Sequence, residues 1–466
     1  MKMFGKIKNI HFIGIGGIGM CGLAELLTHW NFSITGSDAR YSDNVARLGK
    51  LGIKIFSGHY AKNIQDYDAV VYTSAIGPKN PEFLEAKKRG IPVIKRAKML
   101  GEILRLRPNS IAIAGTHGKT TTTSLVGHIF SEAGRDPIVI AGGIFKQSGS
   151  TIRIGSGDTI IVEADEYDHS FLQLYPTHAI ITTIESEHLD IYGTLENIKR
   201  NFIIFANRLP FYGKLIVSAD DKNIQSILPD LTVPFYQYST EQPSIIHASN
   251  IRFTGNGSDF EVVYQNQQLG AIRLPLPGIH NINNALAAIA MGLEYGIDFN
   301  TIATALGNFS GVERRFDIIC QSDALMLVDD YAHHPTEIAA TLKAAKDNWN
   351  RRVIAVFQPH LYSRTQSFYK NFAEALKPAD ILILLDVYPA REEPIPGVSG
   401  KLVYDELTSM AHRDVHYFQN MEDVPSYVKS IYKHGDMIIT LGAGDVNKLH
   451  KSFQAQLNDN PDYCNE

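Results

Sequence analysis

The sequence lacks several features that would place it in a specialised class of protein. It has only three cysteines, Cys21, Cys320 and Cys464, and their wide spacing argues against a disulfide framework or a cysteine-type zinc site. No apolar run approaches about 18 residues, the length that predicts a membrane span, and the N-terminus does not resemble a signal peptide. We therefore expect a cytoplasmic protein without membrane insertion.

The chain also has no excess of positive charge. Its 466 residues carry a formal net charge of -5, so we expect no general attraction to nucleic acid. Hydrophobic residues make up 44% and charged residues 20%, which is typical of a soluble globular protein. The length predicts two or three domains. Any chemistry on phosphates must then rely on local positive charge and on backbone amides.

What the sequence does contain is a repeated alternation of short β-branched runs with helical patterns, which predicts an α/β fold. We expect a Rossmann-like parallel sheet in residues 1–107. Residues 108–310 should form a central P-loop-type α/β domain with extra antiparallel strands at 245–276. Residues 311–466 should form a doubly wound α/β domain that ends in a helix at 446–456.

The first motif is a glycine-rich turn, GIGGIG, at residues 14–19, called here the glycine loop. Gly14, Gly16 and Gly19 let the backbone turn tightly and approach a diphosphate at a helix N-terminus. Asp38 follows the next predicted strand, where a carboxylate often holds a ribose hydroxyl. The motif leaves three interpretations open: a dinucleotide site, a sugar-nucleotide site, or a turn without a ligand.

The second motif is GTHGKTT at residues 115–121, called here the phosphate loop. It departs from the usual spacing, because Ile113 stands where the first glycine of a phosphate-binding loop is expected. The loop is shorter than usual but can still bind phosphate groups. Lys119 can reach the β- and γ-phosphates, the loop amides can cradle them, and the Thr120 hydroxyl can bind Mg²⁺. The motif predicts a nucleotide site.

The third motif, called here the acidic loop, is EADEYD at residues 163–168. Four acids in six residues repel one another unless a cation lies among them, and Mg²⁺ with its preference for oxygen ligands is a natural candidate. The alternative is a solvated acidic turn. His188 is either a second metal ligand or a structural histidine.

The last cluster spans the second predicted domain boundary and the third domain. Ribose and substrate recognition is favoured here over a metal site, because the aspartates end a strand and the histidines precede a helix. Arg315 and Arg364 are candidate clamps for phosphate or carboxylate, or else members of surface salt bridges. The cluster comprises His280, Asn281, Asn284, Arg314, Arg315, Phe316, Asp329, Asp330, Tyr331, His333, His334, His360 and Arg364.

In this order, the motifs resemble those of the Mur ligases of peptidoglycan synthesis over nearly the whole chain. GIGGIGM, DDYAHHPTE and QPHLYSRT most resemble the members that add L-alanine. The resemblance implies ATP-dependent ligation of L-alanine to the lactyl carboxylate of UDP-N-acetylmuramate through an acyl phosphate. It implies ATP and Mg²⁺ as cofactors. We expect a monomer or a homodimer.

The resemblance also assigns roles to residues. The catalytic set is Lys119, Glu163 and His188, and the metal set is Thr120, Glu163 and His188. The ATP-binding set is Gly115, Thr116, His117, Gly118, Lys119, Thr120, Thr121, Asn281, Asn284, Arg315 and Asp330. The set that binds the UDP-sugar is Gly14, Gly16, Gly17, Gly19, Asp38, His59 and Ser74. The set on the amino-acid and acyl-phosphate side is Tyr331, His333 and Arg364.

Two departures from the family pattern stand out. Some members carry an arginine where this chain has Leu361, so one substrate clamp is absent or replaced. Several members use a carbamylated lysine at the position of Phe202, and Lys199 lies one turn earlier. Three alternative functions stay open: a recycling ligase that attaches a whole tripeptide, an NAD-dependent oxidoreductase based on the glycine loop and Asp38, and a nucleotide sensor without turnover.

Overall fold

The computed structural model describes residues 4–146, 149–390, 392–410 and 414–457. It divides into two compact units. The first comprises Met1–Ser249, Glu261–Ile272 and Asn283–Ser310, and the second comprises Asn250–Phe260, Arg273–Ile282 and Gly311–Glu466. The described residues contain three β-sheets. The functional domain boundaries at residues 107 and 310 remain a prediction, because this division is by compactness alone.

The N-terminal sheet has five strands in the order β3-β2-β1-β4-β5, and every pairing is parallel. The order reverses beside β1, so the glycine loop at the end of β1 lies at the topological switch point where such folds bind ligands. The strands are β1 (Asn9–Ile13), β2 (Ser33–Asp38), β3 (Lys54–Ser57), β4 (Ala69–Tyr72) and β5 (Val93–Lys95). The helices are α1 (Ile18–His29), α2 (Asp43–Lys50), α3 (Pro81–Lys88) and α4 (Arg96–Leu104).

The central sheet has ten strands in the order β15-β14-β13-β12-β11-β10-β6-β9-β7-β8. The strands are β6 (Asn109–Ala114), β7 (Ile138–Phe145), β8 (Ser150–Arg153), β9 (Thr159–Glu163), β10 (His178–Ile181), β11 (Leu215–Ser218), β12 (Phe235–Ser239), β13 (Ile246–Thr254), β14 (Gly257–Tyr264) and β15 (Gln267–Leu274). The helices are α5 (Lys119–Glu132), α6 (Leu189–Tyr192), α7 (Leu195–Ala206), α8 (Lys222–Ile227), α9 (Ile279–Glu294) and α10 (Phe299–Gly307). Two-residue turns join β13 to β14 and β14 to β15. Such short turns connect only antiparallel strands, so these three strands are antiparallel to one another.

The C-terminal sheet has six strands in the order β16-β17-β21-β18-β19-β20, and only β16 pairs antiparallel. The strands are β16 (Asp317–Gln321), β17 (Leu325–Asp330), β18 (Val353–Phe357), β19 (Ile381–Leu385), β20 (Val415–Phe418) and β21 (Asp436–Leu441). The helices are α11 (Pro335–Asn348), α12 (Tyr362–Leu376), α13 (Lys401–Ser409), α14 (Val424–Ile431) and α15 (Leu449–Leu457). The predicted three-part α/β architecture is confirmed.

The central strands of the C-terminal sheet are buried throughout and mostly apolar. All residues of β17, β18, β19 and β21 are buried. Such strands read as continuous hydrophobic runs because helices cover both faces of a parallel sheet. Such hydrophobic runs make these strands easy to predict from the sequence. The polar residues that follow each run then mark the carboxyl edge of the sheet.

Several elements differ from the sequence-based expectation. Strands β7, β8, β12, β16 and β20 were not predicted. Strand β20 is only half-buried throughout and β16 alternates, so neither has a continuous apolar run. The last helix begins at Leu449, after a short 3-10 turn, and not at residue 446.

The cysteines have different environments. Cys21 is free and buried, whereas Cys320 is disulfide-bonded. This bond was not expected from the wide spacing of the cysteines, because separation along the chain does not decide which segments meet. Cys464 lies outside the described residues. Among the described helices, none has the length and apolar character needed to cross a membrane.

Candidate active site

The phosphate loop connects the end of β6 to the start of α5. Two of its residues adopt backbone conformations that favour glycine, with φ of +134° at Gly115 and +78° at Gly118. A Cβ atom at Gly115 would lie 2.1 Å from Thr182 Oγ1, and one at Gly118 would lie 2.4 Å from Asn284 Oδ1. Both glycines are therefore required by close packing as well as by φ.

The segment that follows β10 holds this loop in place. The Thr116 amide donates to the Thr183 carbonyl at 2.9 Å, and the His117 amide donates to Thr183 Oγ1 at 2.9 Å. The Glu185 amide donates in turn to Thr116 Oγ1 at 2.8 Å. These contacts fix the loop backbone at the N-terminus of α5, where free amides and the helix dipole favour an anion.

Lys119, the first residue of α5, is largely shielded from solvent, and oxygen atoms surround its ammonium group. Its Nζ lies 2.5 Å from the Gly115 carbonyl, 3.1 Å from the Thr116 carbonyl and 2.8 Å from Glu166 Oε2. Burial alone would lower the pKa of Lys119, but the carboxylate of Glu166 outweighs it and raises that pKa. The side chain is therefore a fixed positive charge before any ligand is bound.

The acidic loop lies directly after β9. Glu163 accepts a hydrogen bond from the Gly142 amide at 2.6 Å, and Glu166 is buried against Lys119. Burial raises the pKa of Glu166 to about 7, with Lys119 acting in the opposite direction. One lysine thus faces several carboxyl groups, so an additional cation would be stabilised here.

His188 joins this loop. It caps the short helix α6 with φ of +53°, and its Nε2 lies 3.9 Å from Glu166 Oε1. Ligand atoms of Asp165, Glu166 and His188 all lie within 4.8 Å of one another, so these three residues can hold a metal ion. The structure therefore groups His188 with Asp165 and Glu166, while Glu163 bonds to Gly142. The roles of Glu163 and Thr120 at a metal remain predictions.

The first two turns of α5 present hydroxyl groups in a buried setting. Thr120 and Thr121 are both buried, and Thr122 Oγ1 donates to Asn284 Oδ1 at 3.2 Å. The structure thus places Asn284, on α9, beside the phosphate loop, and its contact with a nucleotide remains a prediction. Asn281 belongs to the other compact unit, where its side chain donates to the Pro277 carbonyl at 2.8 Å.

The glycine loop is tied to the end of β2. The amides of Gly14 and Ile15 donate to the Ser37 carbonyl at 2.8 and 3.0 Å, and the Gly16 amide donates to Asp38 Oδ2 at 2.9 Å. Gly14 has φ of +78°, and a Cβ atom at Gly19 would lie 2.9 Å from the Arg96 guanidinium. The structure therefore brings Asp38 to the glycine loop, and its role in binding a ribose remains a prediction.

The two remaining UDP-sugar candidates lie in different surroundings. His59 Nδ1 lies 2.9 Å from Ser37 Oγ and 3.0 Å from the buried carboxylate of Glu82. Ser74 lines a cavity of about 290 Å³. The other residues that line this cavity are Tyr72, Ile76, Pro78, Phe83, Lys95, Tyr167 and Asp168. Lys95 Nζ lies 3.0 Å from Asp168 Oδ2, so the end of the acidic loop also borders this cavity.

In the second unit, several predicted nucleotide-binding and amino-acid-binding residues lie near the carboxyl end of β17. Arg315 lies over the Tyr331 ring at 5.2 Å and pairs with Glu337 at 3.7 Å. Glu337 Oε2 also accepts from the His333 amide at 3.1 Å. Burial raises the pKa of Asp330 to about 6, although the charge of Arg315 opposes this. The carboxylate of Asp330 accepts from the amides of Phe316 and Ala332 and from Thr341.

Arg364 lies on the first turn of α12, next to these residues. Its Nη1 lies 3.3 Å from His360 Nδ1, and the centre of the His360 ring is 6.1 Å from that of the His333 ring. Leu361, the residue at the departure from the family pattern, has φ of +71°. A non-glycine residue in this region stores backbone strain, which is common next to functional sites.

Glu82 and Glu337 were not predicted from the sequence as members of these sites. Glu337 stands three residues after His334, the spacing of a capping box, and its carboxylate accepts from the His334 amide at 3.2 Å. That spacing could have identified it. Nothing in the local sequence around Glu82 distinguishes it from an exposed residue in the first turn of a helix.

Comparisons with known proteins agree with this arrangement. Three family models match the chain in order: the Mur ligase family catalytic domain over residues 9–108, the Mur ligase middle domain over 113–292, and the Mur ligase glutamate ligase domain over 314–444. A UDP-N-acetylmuramate–L-alanine ligase from Syntrophotalea carbinolica is 46% identical over 97% of this chain and 98% of its own length. The chain belongs to the Mur ligase family. This membership replaces the oxidoreductase interpretation of the glycine loop.

Two solved structures of ligases are similar to this one over 97% of its length. The UDP-N-acetylmuramate-alanine ligase MurC from Thermotoga maritima has a TM-score of 0.83 and 28% identity, and the match covers 97% of this chain and 99% of that one. A murein peptide ligase from Psychrobacter arcticus has a TM-score of 0.72 and 25% identity, with the same coverage. The phosphate loop and the acidic loop of this Mur ligase both lie within the match to the middle domain.

Proposed function

We propose that this Mur ligase joins L-alanine to the lactyl carboxylate of UDP-N-acetylmuramate, with conversion of ATP to ADP and phosphate. The observation that carries the proposal is Lys119, held at the N-terminus of α5 beside Asp165, Glu166 and His188. Relatives 43–46% identical over nearly the full chain are UDP-N-acetylmuramate–L-alanine ligases, which supports the choice of substrates. A cytoplasmic location and a monomeric or homodimeric state stay predictions.

The chemistry needs ATP because a carboxylate does not react with an amine when its leaving group is oxide. The lactyl carboxylate oxygen would attack the γ-phosphorus, which gives an acyl phosphate and ADP. The alanine amine would then attack the acyl carbon, form the amide bond, lose a proton and release phosphate. Lys119 would neutralise charge on the transferring phosphoryl group, and the backbone amides at the N-terminus of α5 would orient it.

The acidic loop fits a divalent cation. Its donors are mainly carboxylate oxygens, which Mg²⁺ prefers, with His188 beside them. Asp165, Glu166 and His188 would hold the ion, and we propose Thr120 and Glu163 as further ligands of it. When bound, Mg²⁺ supplies positive charge that offsets the charge of the phosphate oxygens.

The second unit supplies the groups that suit an amino acid. We propose that Arg364 binds the alanine carboxylate, since a guanidinium matches a carboxylate with two parallel hydrogen bonds. Tyr331 and His333 would lie on the same side as the acyl phosphate. Arg315 and Asp330 would contact the nucleotide, together with Asn281 and Asn284.

The test is phosphate release from ATP in the presence of UDP-N-acetylmuramate, with L-alanine, L-serine, glycine or the tripeptide in separate reactions. We expect strong stimulation by L-alanine that requires both Mg²⁺ and the UDP-sugar. Stimulation by the tripeptide alone would assign the chain to the recycling ligases. No stimulation by any acceptor would contradict the proposed reaction and leave a nucleotide-binding protein.

A further inference from the structure

Glu82 is a fully buried carboxylate in the N-terminal domain, in the first turn of α3. Its oxygens accept from Ser37 Oγ at 2.6 Å and from Asn63 Nδ2 at 2.7 Å, and Oε2 lies 3.0 Å from His59 Nδ1. A second buried histidine, His11, lies 3.6 Å away through Nε2. Burial would raise the pKa of Glu82, but these hydrogen bonds outweigh it and lower the pKa to about 2.

This cluster is connected to the glycine loop by Ser37. The Ser37 hydroxyl bonds to Glu82, while the Ser37 carbonyl accepts from the amides of Gly14 and Ile15. The next residue, Asp38, accepts from the Gly16 amide. One buried carboxylate therefore braces the end of β2 at the point where β2 holds the loop.

Glu82 also sets the orientation of His59. A carboxylate can only accept, so the proton on Nδ1 of His59 must point into the cluster. The imidazole is then held at one edge, while 17% of the side chain stays exposed. A ring held in this way keeps a defined face and tautomer for a ligand.

An apolar residue at position 82 would serve packing alone at lower cost. A buried charge is costly unless every partner is satisfied, and replacing such groups by apolar ones is often neutral or stabilising. We therefore infer that the Glu82 carboxylate positions its neighbours and does not serve packing alone. We propose that Glu82 is a positioning residue that orients His59 and Ser37, and through Ser37 the glycine loop, for binding of the UDP-sugar. This inference rests on the proposed function, because it takes the UDP-sugar as the ligand of that loop.

The test is Glu82→Gln, which keeps the shape of the side chain and removes its charge. We expect the KM and the Kd for UDP-N-acetylmuramate to rise by about tenfold or more, the scale seen when a supporting partner is lost. The kcat and the KM values for ATP and L-alanine should stay within about twofold, because only binding of one substrate is affected. The Kd would be measured by calorimetry, which does not require turnover.

The matched control is Asn80→Ala. Asn80 caps the same helix by accepting from the amides of Glu82 and Phe83, so its loss weakens α3 without removing the carboxylate. We expect Asn80→Ala to lower the Tm and leave the Kd for UDP-N-acetylmuramate unchanged. If both variants shift the Kd and the Tm in parallel, Glu82 is merely structural and the inference is wrong. An unchanged Kd in a folded Glu82→Gln would overturn it equally.

Should Glu82→Gln fail to fold, Ser37→Ala tests the same link with a smaller change. It removes the hydroxyl that joins Glu82 to β2, and the Kd for the UDP-sugar should rise in the same direction. A wild-type Kd in this variant would refute the link. Wild-type protein that binds UDP-N-acetylmuramate but shows no L-alanine-dependent turnover would refute the proposed reaction and leave the inference about Glu82 testable.

Discussion

Lys119 is held in the phosphate loop by contacts that exist without any ligand. Two backbone carbonyls and the Glu166 carboxylate surround its ammonium group. A charge fixed in advance needs little reorganisation when a phosphoryl group is transferred, which is the basis of electrostatic catalysis. The same contacts imply that bound nucleotide must compete with Glu166 for this lysine.

We expect Lys119→Ala to lower turnover on the order of a hundredfold or more, because it removes a charge that stabilises the transition state. Binding of UDP-N-acetylmuramate should remain, because the glycine loop is a separate part of the fold. Phosphate release and calorimetry measure the two quantities. Lys88→Ala, at a lysine that is 81% exposed, serves as the control. Full activity in Lys119→Ala would refute the assignment of the phosphate loop.

Glu82 makes the stability of the protein sensitive to acid. Its pKa is about 2 in the folded protein against 4.5 for the free side chain. A lowered pKa stabilises the fold fully above the unfolded value, and this contribution is lost as the pH falls from about 4.5 towards 2. The shift corresponds to roughly 3 kcal/mol. Thermal unfolding should show a steeper fall in Tm over this range for wild-type protein than for Glu82→Gln. Parallel curves would contradict the assignment.

At the scale of elements, the junction of β6 and α5 depends on glycine. Gly118 and Gly134 lie at opposite ends of α5, and both have positive φ, +78° and +70°. Alanine at either position should cost about 1–2 kcal/mol of backbone strain. Only at Gly118 would the new Cβ also meet a neighbour, Asn284 Oδ1 at 2.4 Å, whereas at Gly134 nothing lies within 4 Å.

We therefore expect Gly118→Ala to weaken ATP binding strongly, and Gly134→Ala to lower the Tm while ATP binding stays near wild type. Calorimetric titration with a non-hydrolysable ATP analogue measures the difference. Equal losses of affinity in both variants would mean that backbone strain alone, and not the contact with Asn284, limits the phosphate loop.

At the scale of the whole molecule, the proposed acyl-phosphate intermediate must be protected from water. An acyl phosphate hydrolyses if water reaches it, so exclusion of water before the amine attacks is useful. The chain passes from the first compact unit to the second for the last time at Ser310 and Gly311, and Gly311 has φ of +87°. We propose that the chain bends at residues 309–311 when both substrates are bound.

Small-angle scattering should then show a smaller radius of gyration with an ATP analogue and UDP-N-acetylmuramate together than with either ligand alone. The single-ligand samples are the controls, because closure needs contacts from both substrates to favour the closed state. Scattering curves that do not change with both ligands would contradict a hinge at this position.

Sequence reasoning identified many of the candidate residues because they follow buried apolar strands in short, polar motifs. Lys119, for example, was found in this way, whereas the role of His188 came from the family resemblance, and the structure places both beside the acidic loop. Residues whose role depends on distant partners were missed. Glu82 is separated from Ser37 by 45 positions, and no local pattern can show that these two side chains meet.

The sequence by itself determined the class of fold, the family and the motifs that carry chemistry. The class of fold follows from periodicity, the motifs consist of residues adjacent in the chain, and the family follows from the resemblance of those motifs to the Mur ligases. Only the tertiary structure decided which acids surround Lys119, which carboxylates join His188, and that a buried glutamate braces the glycine loop. Those outcomes depend on burial and on contacts between segments far apart in the chain, where packing of the whole domain sets the distances.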